Sequence, residues 1–174
     1  MKKCSGTGTG SAYPDATTHL KILAFQFLSL TQQQPHPSSS RSSLISRAAE
    51  TVGIVVAMDR RPSFLRFLID DGTGCIPCVL WLNQLDSPYY SRHSPSHVRL
   101  LADAAASQAS AVQQGLLARV RGGISSYRGR AEISVRDVVV ERDPNAEILH
   151  WLDCIRLSIH CYNNAHILRS QSRK

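Results

Sequence analysis

The chain contains no apolar run long enough to cross a bilayer. Its best candidate, Leu20 to Leu30, is interrupted by Lys21 and Gln26 and falls well short of the ~20 residues that a spanning helix requires. Lying behind a leader rich in Gly, Ser and Thr, the same stretch also starts too late for a secretory signal core. Acidic residues are in deficit: 13 Asp and Glu stand against 20 Lys and Arg, a net charge of +7 and a pI near 9.5. Such a balance suits a protein that meets polyanions, although a generic basic protein has it too. The five cysteines are odd in number and accompany no secretory signal, so a disulfide framework is not expected and a reducing compartment, nucleus or cytosol, is. No Ser-His-Asp pattern, paired-carboxylate cleft, Walker loop or dinucleotide fingerprint is present; GTGTG at Gly6 to Gly10 lacks the strand, Lys and Ser/Thr context of a phosphate loop. Catalysis and cofactors are therefore not expected.

What is present centres on Phe64 to Leu85. Leu65, Phe67 and Ile69 alternate with Phe64, Arg66 and Leu68, the run Asp70 to Gly74 supplies a turn, and Ile76, Cys78 and Leu80 alternate again, which predicts a β-hairpin. Upstream, Val52, Ile54 and Val56 predict a first strand, in which Gly53 marks a sharp bend or bulge that lets one strand serve two sides of a small barrel. Downstream the period changes to 3.6. Ser94 and Pro95 start a helix with Val98, Leu101, Ala102, Ala105, Ala109 and Val112 on one face, and Gly115 stops it. Leu117 to Tyr127 and Ala131 to Glu141 are again strands, joined at Arg128, Gly129 and Arg130. Strand, strand, strand, helix, strand, strand is the order of the OB-fold, a mainly β, five-stranded barrel with a helix between strands 3 and 4. An SH3-like barrel, the competing architecture, usually lacks so long a helix there.

The expected organisation is a disordered leader over 1–18, an N-terminal arm and linker over 19–46, the OB-fold over 47–142, a C-terminal helix over 143–163 and a basic tail over 164–174. The arm, Leu20 to Leu30, is expected to lie extended on the domain, and Thr31 to Ser43 to link it to the core. Asp143 and Pro144 open the last helix, whose Ile148, Trp151, Leu152, Ile155, Ile159 and Tyr162 form an apolar stripe. Its occupant is either the barrel itself or a partner helix. A partner is favoured, since a barrel already closed by one helix leaves little bare apolar surface.

Cys75 and Cys78 followed by His93 and His97 match the spacing of a C2H2 zinc finger. Strand geometry opposes zinc: residues three apart on a strand point to opposite faces, and Ser94 and Pro95 stand where a finger needs unbroken helix. A thioredoxin-like role is opposed by the position of the CxxC within a strand. Buried strand cysteines and no metal are expected. The remaining constellation is basic and sparsely aromatic: Arg60, Arg61 and Arg66 from the first two strands, and Arg119, Arg121, Tyr127, Arg128, Arg130 and Arg136 from the last two. Arginines interleaved with rings on a curved sheet suit single-stranded nucleic acid; a solvated basic face is the alternative. With aromatics at 6%, only Tyr127, Phe64 and Trp81 offer stacking platforms. At ~1–3 kcal/mol per stacked base, the domain alone is expected to bind at about micromolar or weaker.

VGIVV at Val52 to Val56, FLRFLIDDGTGCIPCVLWLNQL, ARVRGGISSYRG from Ala118 and VERDPNAEILHWLDCIRL from Val140 resemble the STN subunits of the CST telomere-capping complex, in their short plant-type form; HLKILAFQFLSLTQ at His19 to Gln32 resembles that family's N-terminal arm. The resemblance covers most of the chain beyond residue 18. It implies an OB-fold similar to that of the middle subunit of replication protein A. It also implies a C-terminal helix that pairs with the small TEN subunit, docking on the large CTC subunit, and a place in the nucleus at the telomeric region of chromosomes. The implied function is to protect single-stranded telomeric DNA and to recruit DNA polymerase alpha-primase for complementary-strand fill-in, with most of the DNA affinity in the largest subunit. It assigns Ile148, Trp151, Leu152, Ile155 and Ile159 to the TEN interface and supports DNA contact by Arg121, Tyr127 and Arg128. Longer relatives carry winged-helix modules beyond the point where this chain ends, and Gly123 is an extra glycine relative to many of them. A stand-alone RNA-binding OB module of translation is the rival reading.

Overall fold

The computed structural model describes residues 19–32, 48–127 and 129–162. Along the chain these form β1 (Leu20–Lys21), α1 (Ala24–Gln32), β2 (Ala48–Arg61), β3 (Phe64–Asp70), β4 (Cys75–Trp81), a short 3₁₀ turn at Pro88–Tyr90, α2 (Pro95–Ala111), β5 (Leu117–Tyr127), β6 (Arg130–Val140) and α3 (Asn145–Leu157), which continues into a wide helical turn at Ser158–Tyr162. The sheet runs β1-β2-β3-β4-β6-β5 and closes because β2 also pairs with β5. The five strands β2 to β6 are the OB barrel, with α2 between its third and fourth strands and α3 after its last. Expectations for the leader 1–18, for most of the linker, for Arg128 and for the tail 164–174 lie outside the described residues.

Closure depends on β2. Its first half pairs with β5 from Ala48↔Gly123 to Ile54↔Leu117, and its second half pairs with β3 from Ile54↔Asp70 to Arg61↔Phe64, with a bulge between Val55 and Ala57. Gly53 sits at the handover. A Cβ there would lie 2.4 Å from the Asp70 carbonyl oxygen, so only glycine lets the two backbones approach this closely. The bulge expected at Gly53 falls two residues further on, between Val55 and Ala57, while Gly53 itself is regularly paired with Ala118 and serves the close approach to Asp70. Inside, Leu65, Phe67 and Ile69 of β3, Ile76, Cys78 and Leu80 of β4 and Ala118, Val120 and Ile124 of β5 fill the core, following the period-two pattern of the sequence.

α2 starts where Ser94 and Pro95 predict. The Ser94 hydroxyl accepts from the His97 N–H at 3.3 Å, and Val98, Ala105, Ala109 and the following Val112 are buried, whereas Leu101 stays at the margin. The arm differs from its extended expectation. Only Leu20 and Lys21 are extended, pairing in parallel with Ala49 and Glu50; the chain then turns helical and buries Ile22, Leu23, Ala24 and Phe27. The reason is tertiary: the cap for α1 comes from the β3–β4 turn, where the Asp71 carboxylate accepts from the Ala24 N–H at 2.7 Å, rather than from the residues preceding Ala24.

Candidate nucleic-acid and partner interfaces

Phe64, Trp81 and Tyr127 come together on the outside of the barrel around Arg66, whereas Phe67 is buried in the core. Phe64 and Trp81 are directly opposed in the β3–β4 register and meet edge to face, with ring centroids 6.0 Å apart. Arg66, two residues beyond Phe64 and so on the same outer face, sets its guanidinium 5.4 Å from the Phe64 ring centre and 5.7 Å from that of Tyr127, at the end of β5. Trp81 is 42% and Tyr127 49% exposed. Arg66 also faces Glu132 at 3.7 Å, and its buried Nε has no hydrogen-bond partner among the described residues. A cation held between ring faces in this way gains about 0.5–1 kcal/mol per contact. Together the four residues make a patch on which unpaired bases could stack while a guanidinium meets a phosphate.

Arg119 and Arg121 lie elsewhere. In the antiparallel β2–β5 register Arg121 is directly opposite Glu50, and its Nε donates to Glu50 Oε2 at 2.6 Å. Arg119 donates from NH1 to Glu50 Oε1 at 3.0 Å and from Nε to Glu141 Oε1 at 2.6 Å. Asp137 stands 3.7 Å from Arg121 NH1. Burial would raise the Glu50 carboxyl, but the Arg121 hydrogen bond and the charges of Arg121, Arg119 and Lys21 hold it below its ordinary value. Arg119 remains raised despite burial because Glu141 and Glu50 favour its charged form. Both guanidinium groups are thus committed to carboxylates. Arg136 is exposed and occupies the position skipped by the β5–β6 register, between Arg121↔Asp137 and Gly122↔Val135. Glu50 was not singled out from sequence, because the only signal for its role is a strand register unknown before folding.

The last helix begins one residue later than its Asp-Pro signal suggests. Asp143 Oδ1 accepts from the Asn145 N–H at 2.9 Å, and Pro144 precedes the first helical residue. Ala146, His150 and Cys154, spaced by four, face the rest of the molecule and are buried, while Ile148, Leu152, Ile155 and Ile159 remain 46 to 60% exposed on the other side. Leu149 is exposed beside them. Trp151 sits between the two faces and turns homeward, its indole N–H donating to the Asp71 carbonyl at 3.0 Å.

Two features resemble catalytic or metal chemistry at the level of residue type and spacing. His150 Nε2 lies 3.3 Å from both Cys154 Sγ and the Ile22 carbonyl oxygen, a pairing of thiol and imidazole four residues apart on the helix. Burial pushes the Cys154 thiol up to about 12 and lowers the affinity of His150 for a proton, which disfavours the thiolate–imidazolium pair. The zinc-finger spacing does not assemble. Cys78 is buried in the barrel with its thiol raised by that burial, Cys75 is on the surface, and His93 and His97 stack on each other with ring centres 6.1 Å apart. Among the described residues no group of three or more His, Cys, Asp or Glu is placed to hold a metal, and no helix is long and apolar enough to cross a membrane.

The closed five-stranded barrel, with a helix between its third and fourth strands and another after its last, defines an OB-fold protein. No family model matches the chain. It is 51% identical over 150 residues to the CST complex subunit STN1 of Arabidopsis thaliana, covering 84% of this chain and 92% of that protein, and it belongs to the STN1 family. Among solved structures it is similar to the S. pombe Stn1-Ten1 complex (TM-score 0.51, 22% identity, 71% of this chain and 77% of that chain). It is equally similar to a replication protein A heterotrimer bound to single-stranded DNA (TM-score 0.51, 21% identity, 73% and 85%). At these identities the two structures speak for the shared fold.

Proposed function

We propose that the chain is a non-enzymatic, telomere-capping subunit of a CST-like heterotrimer in the nucleus, at the telomeric region of chromosomes. In this reading it pairs with a small TEN subunit, docks on a large CTC subunit and contacts single-stranded telomeric DNA. The assembly then protects chromosome ends and supports fill-in by DNA polymerase alpha-primase. Membership of the STN1 family supports it. The observation that carries the partner assignment is the face of α3 made by Ile148, Leu152, Ile155 and Ile159, exposed while the opposite face is already used at home. Burying what these four half-exposed side chains still show to solvent gains about half of the ~1.5–3 kcal/mol that full burial gives each, which in sum reaches only the lower end of the ~4–15 kcal/mol that association costs. Trp151 contributes from the flank of this face while anchored to the barrel.

For DNA, the reading narrows the arginines to Arg66, with Tyr127, Trp81 and Phe64 as stacking surfaces and Arg136 and Arg128 as additional cations. Arg119 and Arg121 serve instead to hold Glu50. With three rings and one centrally placed guanidinium, the strand contact is weak and relies on the partners. The test is co-expression with the TEN subunit, mass by light scattering, then titration with a G-rich telomeric single strand. A one-to-one complex with weak DNA binding supports the reading. A lone monomer that binds single-stranded RNA tightly would replace it with an RNA-binding module of translation.

A further inference from the structure

Asp71 joins three segments that are distant in sequence. Its Oδ2 accepts from the Ala24 N–H at 2.7 Å, at the start of α1; its Oδ1 accepts from the Thr73 N–H at 2.9 Å and the Thr73 hydroxyl at 2.7 Å; and Thr73 Oγ1 accepts from the Phe25 N–H at 3.1 Å. Two orphan donors of the first turn of α1 are thereby satisfied from the β3–β4 turn. The Asp71 carbonyl meanwhile accepts from the Trp151 indole at 3.0 Å, and the residue is only 1% exposed. Gly72, with φ at +79°, completes the turn, and a Cβ there would lie 3.6 Å from Trp151 Cζ2, so the indole rests against the turn. A second set of bonds ties the arm to the same helix: His150 Nε2 meets the Ile22 carbonyl at 3.3 Å, and Lys21 Nζ donates to Asp153 Oδ2 at 2.5 Å.

α3 is therefore seated on the arm and the turn together. We propose that Asp71 is a positioning residue for partner binding: its side chain seats the arm, and the arm and the Asp71 carbonyl jointly fix the bearing of α3, presenting the apolar face in a preset orientation. The arm thus belongs to the partner-binding apparatus while contributing none of the side chains of that face. By reciprocity, partner binding stabilises the docked arm as much as the docked arm favours the partner. This inference rests on the reading that α3 meets the small subunit.

Amide hydrogen exchange on the full chain, free and with the TEN subunit, tests it. In the free chain, Asp71→Ala is expected to speed exchange in α1 and α3 by about tenfold or more while leaving the interiors of β3 to β6 unchanged, and to weaken TEN binding by a similar factor. Trp151→Phe keeps a ring and removes only the donor; it is expected to speed exchange in α3 but not in α1. It decides the matter if Asp71→Ala does not fold. In the wild type, TEN binding is expected to slow exchange in α1. Unchanged α3 exchange in Trp151→Phe, or strands and helices accelerating together, overturns the proposal. A wild-type chain that does not bind the TEN subunit overturns the function reading instead, and the free-chain exchange still judges the junction.

Discussion

Arg66 and Arg121 both project from the outer face of the barrel, yet one is flanked by the rings of Phe64 and Tyr127 and the other is bonded to Glu50. Strand alternation predicts that both face outward; that Arg121 is hydrogen-bonded to Glu50 while Arg66 only faces Glu132 at 3.7 Å depends on strand register. The two are expected to respond differently to replacement. Arg66→Ala with Tyr127→Ala should lower single-strand affinity several-fold and reduce the salt slope by about 0.7, the share of one phosphate that Arg66 no longer neutralises, as read by fluorescence anisotropy at several salt concentrations. Glu50→Gln should instead destabilise the barrel by roughly 1–3 kcal/mol, the cost of breaking a buried ion pair discounted for arginines that are partly solvated, and chemical denaturation measures it. An unchanged midpoint would show that the two arginines hold nothing together. His150 adds a pH signature. Burial, first, depresses its proton affinity in the folded chain, so the unfolded chain binds the proton more readily. Stability is therefore present above the ordinary histidine value near 6.5 and declines as pH falls below it. Denaturation midpoints between pH 7.5 and 5.5 should fall in the wild type and fall less in His150→Gln.

At the scale of elements, the β3–β4 hairpin, α2 and the last helix are legible in the sequence because each is set by periodicity and local punctuation: the Asp70 to Gly74 turn, the Ser94-Pro95 start, the stripe of α3. The arm is not. Leu20 to Leu30 is apolar on too many sides to show a helical face, and although Gln26 accepts locally from the Leu23 N–H, the groups that satisfy the Ala24 and Phe25 N–H donors come from Asp71 and Thr73, outside any local window. α3 also separates two roles that its stripe merges. A spacing of three and four puts Trp151 next to Ile148 and Ile155, but the indole hydrogen bond draws Trp151 inward while its neighbours stay exposed. Leu152→Asp with Ile155→Asp is thus expected to abolish capture of the TEN subunit while leaving the thermal midpoint of the free chain within a few degrees of wild type, because neither side chain is buried at home. Undiminished capture in a pull-down would remove α3 from the interface.

For the molecule as a whole, charge and closure set the terms. A net charge of +7 favours encounter with nucleic acid, but much of the positive charge on β5 is neutralised by Glu50, Glu141 and Asp137, so composition overstates the field at the surface. Replacing Gly53 by Ala should prevent barrel closure, since a Cβ would lie 2.4 Å from the Asp70 carbonyl oxygen; a soluble variant with native circular dichroism and an unchanged midpoint would show that the contact yields. The sequence by itself determined the strand order, the interposed helix, a special backbone role for Gly53 and the existence of an apolar face on the last helix, because these follow from periods of 2 and 3.6 residues and from residues with restricted or exceptional backbone freedom. Only the tertiary structure decided which arginines are occupied, that the arm is helical, and that Asp71 ties the arm to α3. Those outcomes depend on side chains such as Glu50 and Arg121, or Asp71 and Trp151, that are brought within hydrogen-bond distance by barrel closure. No local pattern encodes a distance set by the path of the whole chain.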